Sequence, residues 1–120
     1  MTHALRVLVV EDEMMIAMLM EDMLQDLGYE TVGPARRLES GMKIAGSEQI
    51  DLAILDINLG GAQSFPIAAL LVARGIPVIF ATGYGVSGLS NEYMDFPVIA
   101  KPFSVVALRQ AIRSAGVAVP

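Results

Sequence analysis

Five polar residues in this chain follow four short apolar runs: Glu11 and Asp12 after residues 5–10, Asp56 after 52–55, Thr82 after 78–81, and Lys101 after 98–100. Carboxylates gathered at one point repel one another, and the grouping is costly unless a cation or a proton lies among them. Mg²⁺ suits such an all-oxygen set, because it keeps several waters and is commonly held by one or two carboxylates plus a phosphate oxygen. A phosphoryl group on Asp56 would bring further negative charge, and Mg²⁺, the Lys101 ammonium and the Thr82 hydroxyl are the groups that would stabilise its oxygens. Asn58 also follows the 52–55 run. Alone, Lys101 reads as a solvated lysine and Thr82 as a strand-end cap; together with the acids they read as a site. Glu13 is assigned to the first turn of a helix, where negative charge is favourable, and the single His3 to the surface.

The elements that must position these residues are legible from periodicity. Apolar blocks rich in β-branched residues at 5–10, 31–32, 52–55, 78–81 and 98–100 alternate with longer segments of helical spacing, which predicts a parallel sheet. Three of the blocks are apolar throughout, as expected when helices cover both faces of a sheet. In such a sheet the functional crevice opens beyond the carboxyl ends of the strands, where all the polar positions above fall. The first helix carries the stripe Ile16, Leu19, Met20, Met23, Leu24 and Leu27, with its methionines read as core and Gly28 as a left-handed C-cap. A second helix spans 36–45, weakened by Gly41 at about 1 kcal/mol relative to Ala. The third follows Ser64 as N-cap, with Pro66 in its first turn, and stops at Gly75; the last runs from Ser104 as N-cap to Gly116. Between the last two strands, residues 83–96 hold room for a short helix at most.

At 120 residues the chain suits one domain. It lacks cysteine, which excludes disulfides, thiolate nucleophiles and cysteine-held metals. No apolar run is long enough for a membrane span, and the N-terminus does not read as an export signal, so a cytoplasmic location is expected. A net charge of −5 and a pI near 4.6 argue against nucleic acid, with the basic residues read as scattered and Arg36–Arg37 as the solvated start of a helix.

Val9-Val10-Glu11-Asp12-Glu13, Leu55-Asp56-Ile57-Asn58-Leu59, Ala81-Thr82-Gly83 and Lys101-Pro102-Phe103 resemble the signatures of response-regulator receiver domains, and the resemblance covers nearly the whole chain. It implies a CheY-like, flavodoxin-like, doubly wound five-stranded parallel sheet of order 2-1-3-4-5 with five helices, the fourth short or disordered here. It also implies a phosphoacceptor switch with no output domain attached over 1–120, rather than an enzyme. In that reading a sensor histidine kinase donates the phosphoryl group to Asp56, Mg²⁺ is held by Glu11, Asp12, Asp56 and the backbone carbonyl of Asn58, and Thr82 and Lys101 complete the site. The Lys101–Pro102 bond would be cis. Output would pass through protein contacts on the face of strand four, residues 83–96, strand five and the last helix, or the chain would act as a phosphoryl sink. Phe80-Ala81-Thr82-Gly83-Tyr84 resembles the FAT-GUY subgroup. The chain departs from the commoner pattern in three places. Val98 stands where an aromatic switch residue is often found, which points to Tyr84 or Phe96 as partners of Thr82. Gly60 and Gly61 replace a frequent proline and make the loop after the acceptor permissive. The glycine-rich stretch at 83–96 replaces a full fourth helix.

Other readings are weaker. Gly83-Tyr84-Gly85-Val86-Ser87-Gly88 matches a dinucleotide-binding pattern literally, but no full helix follows and Lys101 stands where an acidic residue is wanted. A phosphohydrolase with Asp56 as nucleophile lacks a second carboxylate, since Asn58 occupies that position, and has no length for a cap domain. A flavodoxin-like binder is disfavoured because Glu11 and Asp12 would repel its ligand's phosphate. A receiver-shaped module that is not phosphorylated has no reason to carry Asp12, Asp56, Thr82 and Lys101 together.

Overall fold

Strands without a polar face persist only where helices cover both sides of the sheet. β1 (Arg6–Val10), β3 (Leu52–Asp56) and β6 (Val78–Thr82) are such strands, buried along nearly their whole length in the computed structural model, which describes residues 4–83, 89–101 and 103–119. They form the centre of a five-stranded parallel sheet, with β2 (Glu30–Ala35) on one edge and β7 (Val98–Ala100) on the other, in the order β2-β1-β3-β6-β7. The two numbers missing from that order belong to a separate antiparallel pair, β4 (Asn58–Leu59) and β5 (Ala62–Gln63), so the main sheet has the expected 2-1-3-4-5 topology.

Side chains alternate across the sheet. Val7, Val9, Leu52, Ile54 and Ile79 face α1 (Met14–Asp26) and α4 (Val105–Ser114), while Leu8, Val10, Ala53, Leu55 and Phe80 face α2 (Leu38–Ser47) and α3 (Phe65–Ala73). Each fully buried aliphatic side chain of this kind contributes about 1.5–3 kcal/mol relative to an exposed one. Gly28, Gly75 and Gly116 end α1, α3 and α4 with positive φ, and Ser104 caps α4 by accepting the Ala107 N–H at 3.1 Å. Ser64 precedes α3 but its hydroxyl makes no capping bond.

Several expectations are corrected. On α1 the stripe holds except at Leu19: Met20 and Leu24 are buried with Ala17, Ile16, Met23 and Leu27 pack against the same core, and Leu19 turns outward with Met14, Met15 and Met18, which are not core. α2 begins two residues later than expected because Arg37 is extended. Gly41 is where α2 lies against α3: an added Cβ would sit 2.4 Å from Ile67 Cδ1. The five helices implied by the family pattern become four α-helices and a 3₁₀ turn, Asn91–Tyr93, among the described residues. His3, Tyr84, nearly all of the 83–88 glycine run and the Lys101–Pro102 bond lie outside the described residues; the cis bond recorded is Gly33–Pro34. No helix of the described residues is long and apolar enough to cross a membrane.

Two glycines separate backbone need from helix propensity. Gly33 has φ +93°, and a Cβ there would lie 2.7 Å from Ala35 N and 3.0 Å from Val9 O, where β2 shifts register against β1. Gly46 lies within α2 with only Leu70 Cδ2 near, at 3.6 Å. Urea unfolding is expected to show Gly33→Ala destabilised by about 2 kcal/mol or more, and Gly46→Ala stabilised by up to about 1 kcal/mol.

Candidate functional site

All five main strands run in one direction, so their carboxyl ends meet on one side of the domain. Backbone bonds continue past the strands and fix the residues that follow. The Glu11 N–H donates to Ala35 O (2.9 Å), the Ile57 N–H to Ala81 O (3.2 Å) and the Lys101 N–H to Thr82 O (2.9 Å). Glu11, Asp56 and Thr82 are buried at these ends, and Lys101 is largely so.

Each of Glu11, Asp12 and Asp56 offers a carboxylate oxygen, and these oxygens all lie within 4.8 Å of one another. Lys101 Nζ donates to Glu11 Oε1 at 2.8 Å and to Asp56 Oδ2 at 3.1 Å, with Glu13 Oε1 at 3.9 Å. The Glu13 N–H in turn donates to Glu11 Oε2 at 3.2 Å. A crevice of about 560 Å³ opens over this cluster, walled by Asp12, Asp56, Asn58, Thr82 and Lys101 among others. The structure therefore gathers every candidate of the acidic site. Phe96 is elsewhere: its ring packs 6.0 Å from that of Phe80 and 5.1 Å from that of Tyr93, in the α2–α3 layer.

The loop after Asp56 is not merely permissive. Gly60 (φ 59°) and Gly61 (φ 98°) form the two-residue connection between β4 and β5, where positive φ at both positions matches the twist of a hairpin. Their backbone forms one wall of the crevice. Two contacts were not anticipated by spacing: the Glu11–Lys101 pair, and Ile16, the apolar residue of α1 that also lines the crevice.

Burial is the largest influence on both central acids. It pushes Glu11 up to about 7 against the opposing bond from Lys101, with Asp56 adding to the rise. It also raises Asp56, again against bonds from Glu11 and Lys101. For Asp12, burial acts upward but is outweighed by hydrogen bonding with Glu11 and Asp56, so that carboxyl is lowered. Burial would lower Lys101, yet its bonds to Glu11 and Asp56 prevail and its ammonium is held more tightly. The donor set is all oxygen, partly desolvated and richer in negative than positive charge, which fits a hard divalent cation such as Mg²⁺.

Comparison with known proteins agrees with this geometry. The family model described as response regulator receiver domain matches residues 7–113. The chain belongs to that family. Among curated relatives, the transcriptional regulatory protein PdtaR of Mycobacterium tuberculosis is 32% identical over 114 residues, covering 92% of this chain and 56% of PdtaR. The chain spans about half the length of the curated relatives it matches first. The solution structure of SdrG from Sphingomonas melonis Fr1 superimposes with a TM-score of 0.87 at 38% identity, covering 98% of this chain and all of that one. A BeF3-activated conformation of SdrG from Pseudomonas melonis Fr1 matches with a TM-score of 0.79 at 37% identity, covering 94% of this chain and 98% of that one. As a receiver domain of two-component response regulators, the chain has the doubly wound fold of its relatives.

The acidic cluster sets a pH dependence. Folded Glu11 keeps its proton up to about 7, whereas an unfolded glutamate releases it near 4.5. Between those limits the folded state binds more protons, so this residue's contribution to stability is full below about pH 4.5 and is lost as pH rises through about 7. Denaturation in the presence of a chelator is expected to show stability falling across that interval, with a shallower slope in Glu11→Gln.

Proposed function

We propose that this receiver is a Mg²⁺-dependent phosphoacceptor switch with Asp56 as the acceptor and a histidine kinase as the donor. The observation that carries this reading is the meeting of Asp12 and Asp56 oxygens in one cluster with Lys101 Nζ 3.1 Å from Asp56 Oδ2. An Asp56 carboxylate oxygen forms the new P–O bond in line, and the P–N bond of the donor phosphohistidine breaks with its electron pair staying on the imidazole nitrogen. Glu11, Asp12, Asp56 and the Asn58 carbonyl are the residues that would hold Mg²⁺, which when bound supplies positive charge to the phosphoryl oxygens. Lys101, already directed at Asp56, balances charge on the transferred group, and the Thr82 hydroxyl binds a phosphoryl oxygen of the product. Hydrolysis of the aspartyl phosphate resets the switch, and no other substrate is turned over.

We assign the chain to the FAT-GUY subgroup on Phe80 to Thr82 and the residues that follow, and place it in the cytoplasm. Signal output uses the face of β6, β7, residues 89–96 and α4. With Val98 in place of an aromatic switch residue, the coupling passes through Phe96, whose ring lies against Phe80 two residues before Thr82. Tyr93 stacks on Phe65 at 5.3 Å, linking the same segment to the start of α3 just beyond the acceptor hairpin. Tyr84, the other candidate for this role, lies outside the described residues.

Two experiments test these proposals. Incubation with Mg²⁺ and acetyl phosphate is expected to add the mass of one phosphoryl group to the native chain and none to Asp56→Ala; an equal adduct on both would remove Asp56 from its role. Beryllofluoride, the phosphoryl mimic that activates SdrG, is expected to slow amide exchange in residues 89–96. Unchanged exchange there would eliminate the coupling through Phe96.

A further inference from the structure

Eight lysines and arginines serve a chain of net charge −5, and the fold does not leave them scattered. Arg6 is paired with Glu30 and Glu48, Arg74 donates to Ala45 O, and Lys101 is committed to the acidic cluster. Among the described residues the other five make no ion pair, and three of them, Arg36, Arg37 and Lys43, share one surface. Arg36 and Arg37 line a groove of about 860 Å³ between the start of α2 and the β4–β5 hairpin. Arg37 and Lys43 border a smaller depression of about 230 Å³ that continues along α2 past Ser40.

This surface is continuous with the acceptor crevice, because Asp12 and Gly60 form walls of both. Arg36 marks the junction: its Nη2 donates to the backbone carbonyl of Asp12 at 3.3 Å. The two neighbouring compartments thus carry opposite charge, with Glu11, Asp12 and Asp56 in one and Arg36, Arg37 and Lys43 along the other. Glu39 is the one acid of the basic surface besides the shared Asp12.

We infer that this groove docks an acidic segment of the protein that delivers the phosphoryl group, an inference that rests on the phosphoacceptor reading above. Arg36 and Arg37 precede α2 in the groove and Lys43 lies on the helix beyond Ser40, so the positive charges run from the groove along one side of α2 rather than converging on a point. That arrangement fits successive carboxylates of an extended or helical chain better than a single small anion. A negatively charged donor approaching the acid-rich crevice is repelled, and an adjoining basic strip offsets this while fixing the direction of approach. The strip is exposed, so its attraction is screened as ionic strength rises.

The test uses a hexaglutamate peptide as probe against the full ¹⁵N-labelled chain at low salt. Amide shifts are expected around residues 36–43 and the 58–63 hairpin, vanishing at high salt. In the double variant Arg37→Ala/Lys43→Ala, which leaves the acidic cluster untouched, the apparent Kd should rise about tenfold, the loss of two surface charge contacts. No shift in this region, shifts centred equally on Arg109 and Arg113 of α4, or the same shifts with inorganic phosphate at matched charge would each overturn the assignment. Phosphorylation of the same sample by acetyl phosphate is measured in parallel. A labelled Asp56 with no peptide binding defeats the docking inference alone, whereas an unlabelled Asp56 defeats the reading beneath it.

Discussion

Negative charge confined in a partly desolvated pocket is the constraint around which this molecule is arranged. Three carboxylates meet within 4.8 Å, and one lysine donates to two of them. Water is largely excluded from Glu11 and Asp56, so the repulsion cannot be screened away as it would be on an open surface. Burial, with Asp56 adding to it, raises the affinity of Glu11 for a proton, and a divalent cation or a proton offsets the crowded negative charge. A site of this kind is uncomfortable when empty, and for the same reason it is responsive to what enters it.

The fold supplies what such a site requires, which is rigidity from several independent directions. β1, β3 and β6 are held by apolar packing on both faces, and the ladder bonds extend one residue beyond the strands to Glu11, Ile57 and Lys101. Small backbone displacements of the acids are therefore opposed by the whole core. The side of the crevice formed by the β4–β5 hairpin is built differently, from a tight turn of two glycines without a core of its own. Rigid ligands beside a lighter wall is the division that the proposed phosphoacceptor role calls for. The aromatic cluster of Phe65, Phe80, Tyr93 and Phe96 then ties the segment after β6 to the helix that follows that wall.

The sheet and the acidic site were legible because both depend on local signals. Unbroken apolar runs declare buried strands, and polar residues immediately after them must emerge at one edge of a parallel sheet. What was not legible depended on reach and rotation. Spacing does not reveal that Lys101 crosses to Glu11 as well as Asp56, because that is decided by side-chain length across neighbouring strands. Helical spacing marks the stripe of α1 well, since Ile16, Met20, Met23, Leu24 and Leu27 all meet the core, but it does not reveal that Leu19 turns outward with Met14, Met15 and Met18. Gly41 reads as a weakness in α2 until Ile67 is seen against it, and Gly60–Gly61 reads as slack until β4 and β5 pair. Arg37 is extended and α2 starts only at Leu38, so helical spacing read from Arg36 does not by itself put Lys43 on the same surface.

The proposed switch requires a divalent cation that shares the oxygens of Asp12 and Asp56. Anomalous diffraction from crystals grown with Mn²⁺ as a Mg²⁺ substitute tests this without reference to any partner. One peak in contact with both carboxylates is the predicted result. Saturating Mn²⁺ with no peak in that crevice, or a peak touching neither aspartate, would contradict it.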